Sequence, residues 1–145
     1  MANELTIVNE FGEVLKTYEV PPGKRQFEGV CWEGVHLYGA QLGGAVFRDA
    51  ELYWAGFFLA HLDGANFQNA DLRGAVLTES SCVGTDFRGA NLGKDNLGGC
   101  TELQGADLTA ALLEGTNLKG AEYDANTKFP DGFEPNSHGM KETKV

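Results

Sequence analysis

Between Ala40 and Leu77 the polarity of the chain repeats every five residues. A small residue falls at Ala40, Ala45, Ala50, Ala55, Ala60, Ala65, Ala70 and Ala75. A bulky apolar one follows two places later, at Leu42, Phe47, Leu52, Phe57, Leu62, Phe67, Leu72 and Leu77. A strand alternates every second residue and a helix repeats about every 3.6, so a period of five fits neither amphipathic element and marks an internal repeat.

The repeat begins loosely, with Arg25, Val30 and Val35 in the small-residue position, and runs on through Ser80, Thr85 and Ala90 before Asp95 breaks it. After Leu97 the spacing slips by one: the next bulky centres are Leu103, Leu108, Leu113, Leu118 and Tyr123, preceded by Thr101, Ala106, Ala111, Thr116 and Ala121. One extra residue within Gly98-Gly99-Cys100 accounts for the slip and reads as a bulge at a corner. Glycine closes many of the pentapeptides, Gly44 and Gly64 among them, as a chain that turns every five residues requires.

The words Ala65-Asn66-Phe67-Gln68-Asn69 and Ala70-Asp71-Leu72-Arg73-Gly74 resemble the A-(D/N)-L-x-x unit of the pentapeptide-repeat family. That resemblance implies an all-β fold, a right-handed quadrilateral parallel β-helix with the central Leu or Phe and the preceding Ala pointing inward. Four pentapeptides per coil would make every twentieth residue a stacked neighbour about 4.8 Å away. Phe27, Phe47, Phe67 and Phe87 are twenty apart and would form a ladder on one wall. The other columns read Trp32, Leu52, Leu72, Leu92, then Leu37, Phe57, Leu77, Leu97, and finally Leu42, Leu62, Cys82. The centres add up to about five coils, a rod roughly 24 Å long, equal to about seven base pairs of duplex DNA.

Before the repeats, Leu5 to Val8 and Val14 to Val20 are predicted strands around a turn at Asn9-Glu10-Phe11-Gly12, closed off by Pro21-Pro22-Gly23. Residues 1–24 are expected to cap the first coil, whose core and unpaired backbone would otherwise meet water or another chain. Residues 25–125 would form the β-helix. Residues 126–145 are expected to supply a short lid, with Phe129 and Phe133 folded over the last coil and a flexible tail from Ser137. This tail resembles the short segment that follows the repeats in many cyanobacterial family members rather than the hydrophobic dimerising helix of the gyrase-protecting branch.

Composition narrows the chemistry. The 145 residues suit a single domain, and the aromatic and aliphatic content is too high for disorder. Three cysteines, Cys31, Cys82 and Cys100, form no disulfide framework and fit a reducing compartment. No apolar run approaches the roughly 18 residues of a membrane span, and no signal-peptide pattern opens the chain, so a cytoplasmic protein with no membrane partner is expected. Glu51 and Asp71 would sit one coil apart, with carboxylates about 5 Å from each other as in a retaining glycosidase, although acidic residues there are the repeat's own preference. His36, His61 and His138 are isolated and lack zinc-ligand spacing with any cysteine. Cys82 falls at a core centre and reads as a small hydrophobe, while Cys31 faces outward. No phosphate loop, nucleophile elbow or Ser/His/Asp arrangement is present, so no catalysis, cofactor or metal is expected.

The surface carries what remains. Between Arg25 and Ala125 fourteen Asp or Glu stand against six Lys or Arg. That sign opposes direct nucleic-acid binding and suits a basic partner. Members of the family's fluoroquinolone-resistance and gyrase-binding branches are rods that imitate duplex DNA, so the resemblance also implies an alternative: a DNA mimic that binds a type II topoisomerase. A second feature lies at Tyr38, Tyr53, Trp54, Phe58 and Leu59, all at outward offsets that should be polar. Tyr38 and Phe58 share a wall, and Tyr53 and Trp54 lie just before its corner. Unless the hairpin or tail covers them, they would form an exposed patch of the kind that marks a protein contact. The sequence therefore reads as a protein-interaction or scaffold module with an unidentified protein partner, a homodimer included.

Overall fold

The computed structural model describes residues 3–144. Each pentapeptide makes one short straight segment and one corner. At the corner the small residue donates its N–H to the bulky residue three places earlier, as Ala50 does to Phe47 (3.1 Å) and Ala65 to Leu62 (3.0 Å). The residue just before the small one takes a left-handed backbone, which glycine adopts freely: φ is 69° at both Gly44 and Gly64. Among the described residues six corners place another residue there, including Trp54 at φ 59° and Leu59 at φ 58°.

The straight segments pair in parallel with those twenty residues away, as Glu51 does with Asp71, Gly56 with Val76, His61 with Ser81 and Asn66 with Asp86. Inward residues donate to the next coil and the next coil donates back: Leu52 N–H reaches the Asp71 carbonyl (2.8 Å), and Asp71 N–H reaches the Ala50 carbonyl (2.9 Å). The chain thus winds into a β-helix with four walls. Along the first wall the rings of Phe27, Phe47, Phe67 and Phe87 stack at successive centroid distances of 4.8, 5.0 and 5.4 Å. Leu52, Leu72 and Leu92 fill the second wall, Leu37, Phe57 and Leu77 the third, and Leu42, Leu62 and Cys82 the fourth; all are buried. Where a hydroxyl replaces the inward alanine it satisfies a corner carbonyl: Thr85 Oγ1 donates to Leu62 O (2.7 Å) and Thr101 Oγ1 to Leu72 O (3.0 Å).

The slip after Leu92 is larger than one residue. Val76 pairs with Glu102, Ser81 with Asp107, Asp86 with Leu112 and Asn91 with Asn117, each 26 residues on instead of 20. The extra residues form a loop at 94–99 rather than a bulge at Gly98-Gly99-Cys100. Leu97, expected in the core, is 81% exposed, and Leu103 takes its place beneath Leu77 in the third wall. The physical reason is Asp95, whose carboxylate accepts the N–H groups of Leu97 (2.8 Å) and Gly99 (2.6 Å). The loop closes on that side chain and holds Leu97 outside.

At the N-terminal end β1 (Asn3–Val8) and β2 (Val14–Val20) pair antiparallel, with the register shifting between Ile7 and Val8. The Val8 carbonyl accepts the Gln41 N–H (2.8 Å), and Tyr18 packs against Phe27 and Trp32 at 5.7 and 5.0 Å. At the other end β3 (Glu122–Tyr123) pairs in parallel with β4 (Lys141–Glu142), which follows a 3-10 turn at Pro135–His138. The sequence suggested a flexible tail from Ser137, but residues 139–143 are held by backbone hydrogen bonds. Met140 is buried, and the N–H groups of Lys141 and Thr143 bind the carbonyls of Ala121 (2.8 Å) and Tyr123 (2.7 Å). Phe129 and Phe133 stack on each other at 5.2 Å and pack, partly buried, against the core.

Candidate functional site

The outward aromatic residues gather around the corner where the second wall gives way to the third. Tyr53 and Trp54 end the second-wall segment; Gly56 opens the third-wall segment, which Phe58 and Leu59 end. Tyr38 lies one coil before Phe58 at the same offset, with ring centroids 6.1 Å apart and edge to face. The Tyr38 ring crosses to Gly56, where a Cβ would collide with it. Tyr38, Trp54 and Leu59 are 49%, 41% and 53% exposed, while Tyr53 and Phe58 are half-buried.

A second group forms on Tyr53 and Trp54, whose rings lie 4.6 Å apart. Trp54 Nε1 donates to the Asp95 carboxylate (2.5 Å), and Asn96 N–H donates to the Tyr53 hydroxyl (3.3 Å). The Arg73 guanidinium sits 4.8 Å from the Tyr53 ring, and the Trp54 indole leans over Gly74. Among the described residues the 94–99 loop supplies Asp95 and Asn96 to this group, and the next coil supplies Arg73 and Gly74. The five outward residues thus divide into Tyr38 with Phe58, Tyr53 with Trp54, and Leu59 exposed at the next corner.

Asp95, Arg73, Gly56 and Gly74 belong to this region without having been singled out from the sequence. Two of them carried a signal. Asp95 interrupts the small-residue series, and Gly56 stands at an outward offset that elsewhere carries a side chain such as Asn66 or Asp71.

The hydrogen bond from Trp54 holds the Asp95 carboxyl below its ordinary pKa, helped by the N–H groups of Gly99 and Leu97 and opposed by burial. A carboxylate with a lowered folded pKa stabilises the fold above its ordinary range and loses that contribution as pH falls through the lowered value. Acid titration of a Trp32→Phe variant, in which Trp54 is the sole tryptophan, is expected to show an emission change below the ordinary carboxylate range. The change should vanish when Asp95→Asn is added; its survival there would assign it to another group.

Asp71, Cys31 and Cys82 are each shifted in pKa by a neighbouring group or by burial. Asp71 is gripped by Arg73, whose Nε and Nη2 donate at 2.9 and 2.7 Å. Burial pushes the Asp71 pKa up, but Arg73 more than offsets this and keeps it lowered, the opposite of a poised acid. The Cys31 thiol is exposed, yet its hydrogen bond to Glu51 and that residue's charge raise its pKa and deplete the thiolate. Cys82, fully enclosed, is pushed up to about 12 by burial. His61 faces Asp63 at 3.3 Å, and His138 stacks on Phe133 at 4.4 Å. Among the described residues no three His, Cys, Asp or Glu gather as a metal site, and no helix is long and apolar enough to cross a membrane.

A family model described as pentapeptide repeats matches eight copies over residues 55–93 and 101–122, leaving out the loop between. Among solved structures, a pentapeptide repeat protein from the Arabidopsis thaliana thylakoid lumen is 32% identical, with 68% of each chain covered and a TM-score of 0.55. A pentapeptide repeat protein from Nostoc PCC 7120 is 29% identical over 83% of this chain and 87% of that one, with a TM-score of 0.30. QnrB1, a plasmid-mediated fluoroquinolone resistance protein, is 16% identical over 81% of this chain and 77% of its own, with a TM-score of 0.44. No curated protein matches at a significant level.

Proposed function

The chain belongs to the pentapeptide-repeat family, whose fold is the right-handed quadrilateral β-helix, and from that premise we propose that it is a non-catalytic protein-interaction module. In this reading residues 25–125 are a rod of about five coils, the hairpin is its N-terminal cap and the segment from residue 126 its lid. The contact surface is the set Tyr38, Tyr53, Trp54, Phe58 and Leu59. The observation that carries it is the exposure of Tyr38, Trp54 and Leu59 at outward positions of the second and third walls. The partner is a protein with an apolar contact area rimmed by Lys or Arg, because the chain carries a net charge of -10. A second copy is a less apt occupant, since two such acidic rods repel. The three free thiols fit a cytoplasmic setting, although the similar Arabidopsis thaliana protein comes from the thylakoid lumen.

Leu59 supports the reading for a second reason: a bulky residue held at φ 58° strains the backbone where glycine would not. Replacing it with glycine relieves that strain while freeing the unfolded chain, so Leu59→Gly should keep stability within about 1 kcal/mol of wild type. The test is capture from the native host with the wild type and a Tyr38→Ala, Leu59→Gly double variant. Trp54 is left intact because it anchors the loop. Truncating contact anchors costs about 2 kcal/mol or more, so proteins that bind the wild type should bind the variant roughly 30-fold more weakly at unchanged melting temperature. An unchanged captured set would dismiss the patch. A DNA mimic would instead act in a gyrase supercoiling assay, with an effect that survives the double substitution and fades with salt.

A further inference from the structure

Along the first wall, inward residues donate down the rod, as Phe87 N–H does to Leu112 O (2.9 Å), and the lower coil donates back, as Leu112 N–H does to Thr85 O (2.9 Å). That exchange stops at Leu113. Among the described residues the N–H groups of Leu113 and Gly115 donate to nothing and the Ala111 carbonyl accepts nothing from the backbone or a side chain. The third and fourth walls end otherwise. There β4 pairs on β3, and Lys128 exchanges bonds with Ala106 (2.9 Å) and Leu108 (2.7 Å). Below the first wall Pro130, which has no N–H, and Gly132, at φ 77°, turn the chain aside. They leave an open cavity of about 310 Å³ whose lining includes Leu113, Glu114, Asp131, Phe133 and His138.

A row of free donors and acceptors beside a cavity that Leu113 and Phe133 flank is a template for one more strand. We propose that this edge takes an extended segment of a partner protein as an added parallel strand. One apolar side chain enters the cavity between Leu113 and Phe133, and Arg or Lys on either side of it faces Glu114 and Asp131. The wall's own rule sets the register. The residue before the apolar one donates to Ala111 O and accepts from Leu113 N–H, and the residue after it accepts from Gly115 N–H. The apolar residue's own N–H points away from the rod, where a further coil would have been. This site is at one end of the first wall, apart from the aromatic patch, and stands without it.

The probe is the acetylated, amidated peptide Gly-Arg-Ile-Arg-Gly, titrated into the isotopically labelled full chain at low salt. The amide resonances of Leu113 and Gly115 should shift most. N-methylating the first Arg removes the donor to Ala111 O and should weaken binding by about tenfold or more, whereas N-methylating Ile should change it by no more than about twofold. Charge-reversed Gly-Glu-Ile-Glu-Gly, or the wild-type peptide with the Glu114→Lys, Asp131→Lys variant, should give no shift. Equal loss from both methylations, equal binding of the charge-reversed peptide, or shifts centred elsewhere would overturn the proposal. So would Leu113 and Gly115 shifts that follow protein concentration alone with dimers in sedimentation, since the occupant would then be a second copy.

Discussion

Phe67→Ala is expected to be the most destabilising single substitution in the rod. The Phe67 side chain is fully buried, stacked between Phe47 at 5.0 Å and Phe87 at 5.4 Å and set edge-on to Phe57 at 5.9 Å. Removing a buried Phe costs about 3–5 kcal/mol through lost transfer energy and the cavity left behind. Stacked pairs are worth about 0.5–1.5 kcal/mol each beyond burial, which places this site at the upper end of that range. Domains are typically stable by only about 5–15 kcal/mol, so one substitution removes a large share of the total. The midpoint of thermal unfolding should fall by roughly 10–20 °C. Because stacked coils touch only their neighbours, the break should also broaden the transition as the two halves uncouple. Phe11→Ala is the control: Phe11 is 78% exposed at the hairpin turn, and its loss should stay within about 0.5 kcal/mol. Equal effects from the two would mean that the ladder does not bear on stability.

Deleting residues 1–22 is expected to abolish the soluble monomer. Ile7 and Val20 are buried, and burying such a side chain contributes about 1.5–3 kcal/mol. The larger effect is exposure of what lies beneath them. Phe27 and Trp32 lose Tyr18, the Trp32 ring loses the Lys16 amine that sits 4.9 Å from its centroid, and the Gln41 N–H loses the Val8 carbonyl. The first coil would then offer a bare apolar face together with open backbone groups, the combination that drives edge-to-edge association. Size-exclusion chromatography should show oligomers or precipitate. A truncated chain that stays monomeric with an unchanged melting temperature would show that the hairpin is an appendage.

How much of this was legible in the chain depends on which residues carried the signal. The four columns followed from a strict spacing, because coils of identical length put like side chains on like walls. That inference held as far as Leu92 and failed at Leu97. Counting centres assumes the shortest insertion that restores the rhythm, and nothing in the rhythm distinguishes one extra residue from six. The discriminating residue was Asp95, whose carboxylate organises a loop through three hydrogen bonds, to Trp54, Leu97 and Gly99. Spacing also located the outward aromatic residues but could not say what touches them. That Trp54 is tethered while Leu59 is exposed depends on a loop residue 41 positions after Trp54. The tail was misjudged for a related reason. The short β4 has no repeat pattern of its own and is held by the carbonyls of Ala121 and Tyr123, a contact invisible in composition.

Scalar couplings across hydrogen bonds, read by NMR from each amide nitrogen to the carbonyl carbon it bonds, test the geometry on which everything else depends. The amides of Leu52, Phe67 and Leu72 should couple to the carbonyls of Asp71, Asp86 and Asn91, each nineteen residues on, and Leu77 should couple to Glu102 across the loop. Couplings confined to residues three or four apart, or a Leu77 partner at Asn96, would contradict the four-walled coil and the placing of every outward side chain built on it.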